Sequence, residues 1–199
     1  MRLVTTISNI SELEMAKKSD IIELRLDLGN FENVPPGKYI VTYRRKADGG
    51  LYVGNEEERI AKLRDNAKRV KAEFVDIEFD VEDSILDLFD CDVIESYHNF
   101  KETPNYEFLK NLVENKRGDH FKVATMGRSI EDWKRIAKLL IEFDGTIAFL
   151  IGEKFKFTRI AAAMLGSPFI YCYVGSKKAP GQFELEEALK ILKKLGVRE

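Results

Sequence analysis

The stretch Ile21-Ile22-Glu23-Leu24-Arg25-Leu26-Asp27-Leu28 decides the fold of this 199-residue chain. Aliphatic and charged side chains alternate along it, and side chains on a β-strand point alternately to its two faces. One face is therefore apolar, whereas the other carries Glu23, Arg25 and Asp27. Strands inside a parallel sheet are normally apolar on both faces, because helices cover both of them. The charged face therefore indicates a strand that lines a polar interior.

Similar segments occur on both sides of this one. They are short and rich in β-branched or aromatic residues, which favours strands at 3–8, 39–45, 74–79, 93–98, 121–126, 146–151 and 169–174. Polar side chains again share one face, and these are Thr42, Arg44, Asp76, Glu78, Ser96, His98 and Lys122. The sequence thus predicts eight strands with an outer apolar face and a charged inner one.

Helix candidates separate most of these strands, although residues 29–38, between the second and third strands, hold no convincing helix. Residues 56–71, for example, place Ile60, Leu63, Ala67 and Val70 on one face at helical spacing. Strands that alternate with helices pair in parallel through right-handed crossovers. Because no linker divides the chain, we expect an α/β fold with a single compact (β/α)8 TIM barrel as one catalytic domain over residues 1–199. An open doubly wound sheet and an antiparallel sheet with a polar outer face are the alternatives.

Composition limits the functional classes. Lys and Arg number 32 and Asp and Glu 34, and this balance argues against a dedicated nucleic-acid binder. No apolar run reaches the roughly 18 residues of a membrane span, and the first residues lack a signal-peptide pattern. Cys91 and Cys172 fit buried, reduced thiols. We therefore expect a cytoplasmic protein without nucleic-acid or membrane partners.

Two residues on the inner face point to chemistry. Lys122 lies in a strand between Phe121 and Val123, where a lysine is uncommon unless its ammonium group has a use. Apolar burial and nearby cations lower a lysine pKa, which makes the amine a nucleophile toward ketones and aldehydes. His98 ends a strand, where barrel enzymes place catalytic residues. Alternatively, Lys122 lays its aliphatic chain along apolar surface and extends its ammonium group to water, and His98 has only a structural role.

Taken in order, the motifs resemble type I 3-dehydroquinate dehydratase over essentially the whole chain. They are Glu23-Leu24-Arg25-Leu26-Asp27, Thr42-Tyr43-Arg44, Asp48-Gly49-Gly50, Val75-Asp76-Ile77-Glu78, Ser96-Tyr97-His98-Asn99-Phe100, Lys122-Val123-Ala124, Arg159 and Ala179-Pro180-Gly181-Gln182. The resemblance implies a shikimate-pathway barrel that dehydrates 3-dehydroquinate to 3-dehydroshikimate without a metal or an organic cofactor. Members of the family often form dimers through outer helices, and the sequence leaves open whether this chain forms such a homodimer.

The resemblance assigns roles to individual residues. Lys122 would form an imine with the ring ketone, and His98 would remove the adjacent proton and help the hydroxyl leave as water. Asp48 stands where the family usually has a glutamate that orients the histidine. The implied substrate contacts are Ser8, Glu23, Arg25, Arg44, Arg159 and Gln182. Lys178 stands where the family often has a hydroxyl residue, so this contact is lost or is replaced by Lys178 or Ser176.

Two other functions fit the same residues. A class I aldolase acting on a phosphorylated sugar would need a phosphate site after strands seven and eight, for which Gly175-Ser176-Lys177-Lys178 is a weak candidate. A non-catalytic barrel that binds a metabolite or partner would tolerate replacement of Lys122 and His98.

Overall fold

Strands and helices alternate along most of the chain in the computed structural model, which describes residues 1–198. No helix separates the strands Ile21–Arg25 and Tyr39–Thr42, or the strands Phe169–Tyr173 and Phe183–Glu184. The strands are β1 (Arg2–Ile7), β2 (Ile21–Arg25), β3 (Tyr39–Thr42), β4 (Phe74–Glu78), β5 (Asp92–Asn99), β6 (His120–Met126), β7 (Ile147–Ile151), β8 (Phe169–Tyr173) and β9 (Phe183–Glu184). The helices are α1 (Leu13–Ala16), α2 (Glu56–Val70), α3 (Asp83–Leu86), α4 (Tyr106–Glu114), α5 (Ile130–Glu142), α6 (Thr158–Met164) and α7 (Leu185–Lys194). Across residues 1–198, no helix has the length and apolar character needed to span a membrane.

All the strands belong to one parallel sheet with the order β7-β6-β5-β4-β3-β2-β1-β8-β9. This order confirms the predicted α/β barrel, and the short strand β9 is an addition to it. Among the described residues no ladder joins β7 to β8, and we call this junction the seam. Side chains and loops meet across it: the rings of Phe149 and Tyr171 have centroids 6.3 Å apart, and the Gly152 N–H donates to the Pro180 carbonyl at 3.4 Å.

The inner face of the sheet has two layers. Apolar side chains near the strand starts pack together, among them Val4, Ile21, Ile40, Phe74, Ile94, Ile147 and Phe169. The charged residues follow two or four positions later on the same face, nearer the carboxyl ends of the strands. The apolar layer therefore closes the bottom of the barrel, and the polar layer faces its mouth.

The outer face packs against the helices. In α2, Ile60, Leu63, Ala67 and Val70 are buried, as their spacing predicts. Burial of each large aliphatic side chain stabilises the fold by roughly 1.5–3 kcal/mol. The Asn55 side chain begins this helix by accepting a hydrogen bond from a first-turn backbone N–H at 3.2 Å.

Strands β2 and β3 are shorter than the predicted strands at 21–28 and 39–45. They end at Arg25 and Thr42, so Asp27 and Arg44 lie in loops at the barrel mouth. The Asp27 carboxylate accepts hydrogen bonds from the backbone N–H groups of Arg44 (3.3 Å) and Leu51 (3.1 Å). These two hydrogen bonds hold the backbone that follows β3 outside the sheet.

Candidate active site

A cavity of about 150 Å³ opens at the carboxyl ends of the strands. Barrel enzymes place their active sites at this end. Every site residue predicted from the sequence except Ser8 lines the cavity. The wall also contains Thr6, Phe100, Phe149, Tyr171 and Lys178, of which only Lys178 and Phe100 belong to the motifs described above.

Lys122 lies deep in this cavity, on the inner face of β6. Its side chain is 5% exposed, and its ammonium donates to Asp76, whose side chain is fully buried. The Lys122 Nζ atom also lies 4.6 Å from the centroid of the Tyr171 ring. Burial lowers the pKa of Lys122; the Asp76 carboxylate opposes this shift, and the Arg44 guanidinium adds to it. The amine is therefore easier to deprotonate than an ordinary lysine.

Arg44 connects the carboxylates beside Lys122. Its guanidinium donates to Asp76 at 2.6 Å, to Glu78 at 3.1 Å and to the Ser96 hydroxyl at 2.7 Å. Burial alone would raise the pKa of Asp76, but the Arg44 and Lys122 cations outweigh it and hold that pKa well below the usual range. The charges inside the barrel thus form a paired network, which a buried position requires.

His98 comes from β5, the strand next to Lys122. In the register of β5 and β6, Ser96 pairs with Lys122 and His98 with Ala124, so His98 is a diagonal neighbour of Lys122 on the same face. The His98 ring is stacked on Phe100, with centroids 6.2 Å apart and planes inclined by 9°. Burial of the imidazole, together with the Arg44 and Lys122 charges, lowers the pKa of His98 well below its ordinary value. The imidazole is therefore neutral near pH 7.

Arg159 is a buried cation without a carboxylate partner among residues 1–198. It comes from α6, beside the seam, and its guanidinium carbon lies 4.0 Å from the centroid of the Phe149 ring. Its Nε atom is buried and has no hydrogen-bond acceptor in the described part of the chain. Burial lowers the pKa of Arg159 to about 10. An unpaired guanidinium facing a cavity provides a site for an anion.

Hydrogen bonds fix two further polar groups in the wall. The Glu23 carboxylate accepts from the Thr6 hydroxyl at 2.6 Å and from the Thr42 hydroxyl at 2.9 Å. The Gln182 side-chain oxygen accepts from the backbone N–H groups of Lys178 (3.1 Å) and Ala179 (3.0 Å). This arrangement leaves the Gln182 NH2 group as the donor for a ligand.

Residues 2–199 match the family model described as type I 3-dehydroquinase. The chain belongs to the type I 3-dehydroquinase family.

Curated relatives of this family are similar along their full length. The 3-dehydroquinate dehydratase of Archaeoglobus fulgidus is 51% identical over 197 residues, covering 98% of this chain and 100% of the relative. The 3-dehydroquinate dehydratase of Pyrococcus abyssi is 36% identical over 208 residues, covering 98% and 96% respectively.

Solved structures of the family share the fold. The 3-dehydroquinate dehydratase of Aquifex aeolicus superimposes with a TM-score of 0.79 at 26% identity, covering 98% of both chains. The type I enzyme of Clostridium difficile gives a TM-score of 0.83 at 19% identity, covering 98% of this chain and 92% of the other.

Two positions differ from what the family resemblance implied. Asp48 lines the cavity, but its carboxylate accepts a hydrogen bond from Arg45 Nε at 2.8 Å, and His98 Nδ1 has no partner within residues 1–198. Ser8 lies outside the cavity wall, because the chain turns away after β1 and the Glu12 carboxylate accepts from both its N–H (2.7 Å) and its hydroxyl (3.1 Å). Asp48 thus makes no hydrogen bond to His98 in this structure, and Ser8 is held by Glu12. The roles of Asp48 toward His98 and of Ser8 toward a ligand stay predictions.

Lys178 occupies the position at which the family often has a hydroxyl residue. Its ammonium group forms an ion pair of 2.6 Å with Glu12 and donates to the Ser176 hydroxyl at 3.0 Å. Glu12, Thr6 and Tyr171 were not predicted from the sequence as residues of the site. Thr6 and Tyr171 lie on the inner face by period-two alternation, whereas Glu12 follows a turn and carries no such signal.

The loop after β8 does not offer the phosphate site that an aldolase would need. Lys177 is paired with Glu153 at 2.7 Å, and Lys178 is paired with Glu12. Both cations of the Gly175-Ser176-Lys177-Lys178 segment are thus neutralised by carboxylates, which would repel a phosphate.

Proposed function

We propose that this chain is a 3-dehydroquinate dehydratase that removes water from 3-dehydroquinate by way of a lysine imine. One observation carries the proposal: Lys122 and His98, neighbours on adjacent strands, share one cavity with the unpaired cation of Arg159. A nucleophilic amine, a neutral base and an anion site are the groups that this reaction needs. The family and its curated relatives support the same substrate.

Lys122 is the proposed nucleophile. Its neutral amine adds to the ring ketone, the carbonyl oxygen leaves as water, and a protonated imine remains. Asp76 accepts a hydrogen bond from the ammonium group of Lys122 before the reaction and remains beside the positive imine afterwards. The imine attracts electrons and thereby acidifies the adjacent C–H group.

His98 is the proposed acid–base group. As a neutral imidazole it takes the proton from the carbon next to the imine, and the electron pair forms an enamine. The same imidazolium then donates that proton to the hydroxyl group two carbons from the imine carbon, which leaves as water as the enamine electrons return. Hydrolysis of the resulting conjugated imine releases 3-dehydroshikimate and regenerates Lys122. Because one residue serves both steps, both groups must leave from one face of the ring.

The remaining polar wall is proposed to position the substrate. Arg159 binds the carboxylate, since a guanidinium can donate two parallel hydrogen bonds to it. Glu23 and the Gln182 NH2 group bind hydroxyls. Arg25, held by Asp27 at 2.9 and 2.7 Å, borders the same space, and Arg44 acts through the carboxylates that it binds.

Borohydride trapping tests the mechanism. The protein is mixed with 3-dehydroquinate and sodium borohydride, digested, and the peptides are analysed by mass spectrometry. We expect an irreversible adduct on Lys122 and a parallel loss of activity. Lys178 is the matched control, because it lines the same cavity and its side chain is only 3% exposed. Lys122→Met should abolish the adduct and Lys178→Met should retain it; an adduct on Lys178 in the wild type would refute the assignment.

A further inference from the structure

Arg59 is a fully buried arginine on a helix outside the sheet. It lies in the first turn of α2, and its side chain is 0% exposed. A guanidinium is rarely removed from water completely unless other charges pair with it. The groups that pair with the Arg59 guanidinium therefore indicate the role of this residue.

Three groups surround the Arg59 guanidinium. Its Nε and Nη2 atoms donate to the Glu56 carboxylate at 2.8 and 2.6 Å, and Nη1 donates to the Tyr43 carbonyl at 2.7 Å. Nη1 also lies 2.8 Å from Oε2 of Glu78. Because the N–H bonds point to Tyr43 and Glu56, the contact with Glu78 is an ion pair without an aligned hydrogen bond.

Glu78 links Arg59 to the active-site network. Its other oxygen accepts from Arg44 at 3.1 Å, and Arg44 donates to Asp76, which accepts from Lys122. Five charges of alternating sign thus connect α2 to the lysine, in the order Arg59, Glu78, Arg44, Asp76, Lys122. None of these side chains is more than 5% exposed. Water screens charges poorly in such a place, so a change at one end is felt at the other.

We propose that Arg59 is a positioning residue for the reaction: by neutralising Glu78 it leaves Arg44 free to hold Asp76, which in turn holds the Lys122 amine. The inference rests on the proposed function, in which Lys122 is the nucleophile. Without Arg59, Glu78 would keep the Arg45 backbone N–H at 3.4 Å but only Arg44 as an ion-pair partner among the described residues, and would draw the Arg44 guanidinium away from Asp76. The pocket around Lys122 would also lose one positive charge.

The direction of the effect follows from the groups around Lys122. Those on the neighbouring elements are Glu23 of β2, Arg44 after β3, Asp76 of β4, His98 of β5 and Tyr171 of β8. Burial and Arg44 lower the pKa of Lys122, while Asp76 and Glu23 oppose this. Removal of Arg59 strengthens the influence of the carboxylates, so the amine should hold its proton to a higher pH.

The test compares pH profiles of variants. The rate of borohydride trapping on Lys122 and kcat/KM are measured between pH 5 and 10 for wild type, Arg59→Met and Glu78→Gln. We expect Arg59→Met to move the acid limb of both profiles upward by about one pH unit. Glu78→Gln should move it downward, because it removes a negative charge.

The double variant Arg59→Met/Glu78→Gln provides the decisive rescue. It restores the charge balance, and we expect its acid limb to return toward that of the wild type. It also keeps the test valid should Arg59→Met alone fail to fold, since the double variant can be compared with Glu78→Gln. Arg69→Met is the matched control, because Arg69 lies on the same helix but donates to the backbone carbonyls of residues 31, 32 and 34.

The outcomes separate the two proposals. If the wild type forms no adduct on Lys122, the proposed function fails and this inference fails with it. If the adduct forms but the acid limbs of Arg59→Met and Glu78→Gln lie at the same pH as that of the wild type, the inference alone is overturned. Activity reduced by the same factor at every pH in Arg59→Met, without rescue in the double variant, would also show a purely structural role.

Discussion

Glu12 and Lys178 lie 166 positions apart in the chain, yet their side chains form a buried ion pair of 2.6 Å. Glu12 follows β1, and Lys178 lies in the loop after β8. The backbone N–H of Lys178 also donates to the Gln182 side chain. The ion pair therefore attaches the loop that carries Gln182 to the opposite side of the β1–β8 junction.

Lys178→Met should loosen this loop. It leaves the buried Glu12 carboxylate without its cation, and we expect the free energy of unfolding to fall by about 2 kcal/mol. Because the loop that carries Gln182 loses its attachment to Glu12, KM for 3-dehydroquinate should rise more than kcat falls. Urea unfolding and steady-state kinetics measure both effects. Lys177→Met is the control, since its ion pair with Glu153 is exposed and should contribute less than about 1 kcal/mol; equal effects of the two variants would contradict the prediction.

Arg159→Met should raise stability and lower activity. The substitution removes a buried charge that has no carboxylate partner in the described part of the chain, so we expect about 1–2 kcal/mol of added stability. Loss of the charged hydrogen bonds to the substrate carboxylate should lower kcat/KM about 100-fold. Thermal unfolding without ligand and steady-state kinetics test the two effects. Arg159→Lys keeps the charge without the planar fork and should recover only part of the activity; unchanged substrate affinity in Arg159→Met would remove Arg159 from the carboxylate site.

His98 should make stability depend on pH. Its pKa in the fold lies well below 6.5, so below that pH the unfolded chain binds a proton that the native chain does not. Stability should therefore fall as pH decreases from 7 to 5, by up to about 1.4 kcal/mol per unit from this group. His98→Gln should show a smaller decrease over the same range in urea unfolding. Parallel curves for the two proteins would mean that His98 titrates normally in the fold.

Asp48→Asn should have a modest effect on the chemistry. Asp48 is bonded to Arg45 instead of to His98, so its loss removes no hydrogen bond from the imidazole. We expect kcat to fall less than about tenfold, below the usual contribution of a general acid–base group. The steady-state pH profile provides the measurement, with His98→Gln as the reference. A loss as large as that of His98→Gln would show that Asp48 reaches the histidine when substrate is bound.

The sequence predicted the inner face of the barrel because period-two alternation is local. Glu23, His98 and Lys122 could be placed there without knowing what lies opposite them. The partners could not be predicted in the same way. Within the loops after β3 and β1, Arg45 donates to Asp48 and Glu12 accepts from Ser8. These loops are held by ion pairs with residues that are distant in the chain, Arg45 with Asp80 and Glu12 with Lys178. The family resemblance gave the positions of the motifs, but it could not show which hydrogen-bond partners Asp48 and Ser8 have in this chain.

The seam between β7 and β8 is the junction of the described barrel at which adjacent strands share no main-chain ladder. Within residues 1–198, main-chain ladders link every other adjacent pair of strands around the ring, so widening this junction would break the Gly152–Pro180 hydrogen bond but no ladder. Arg159 stands beside it, with its guanidinium over the Phe149 ring of β7. A carboxylate bound there would connect α6 to groups on the far side of the cavity and act as the missing rung. On the proposed function, bound substrate would then reinforce the junction that lacks a main-chain ladder among the described residues.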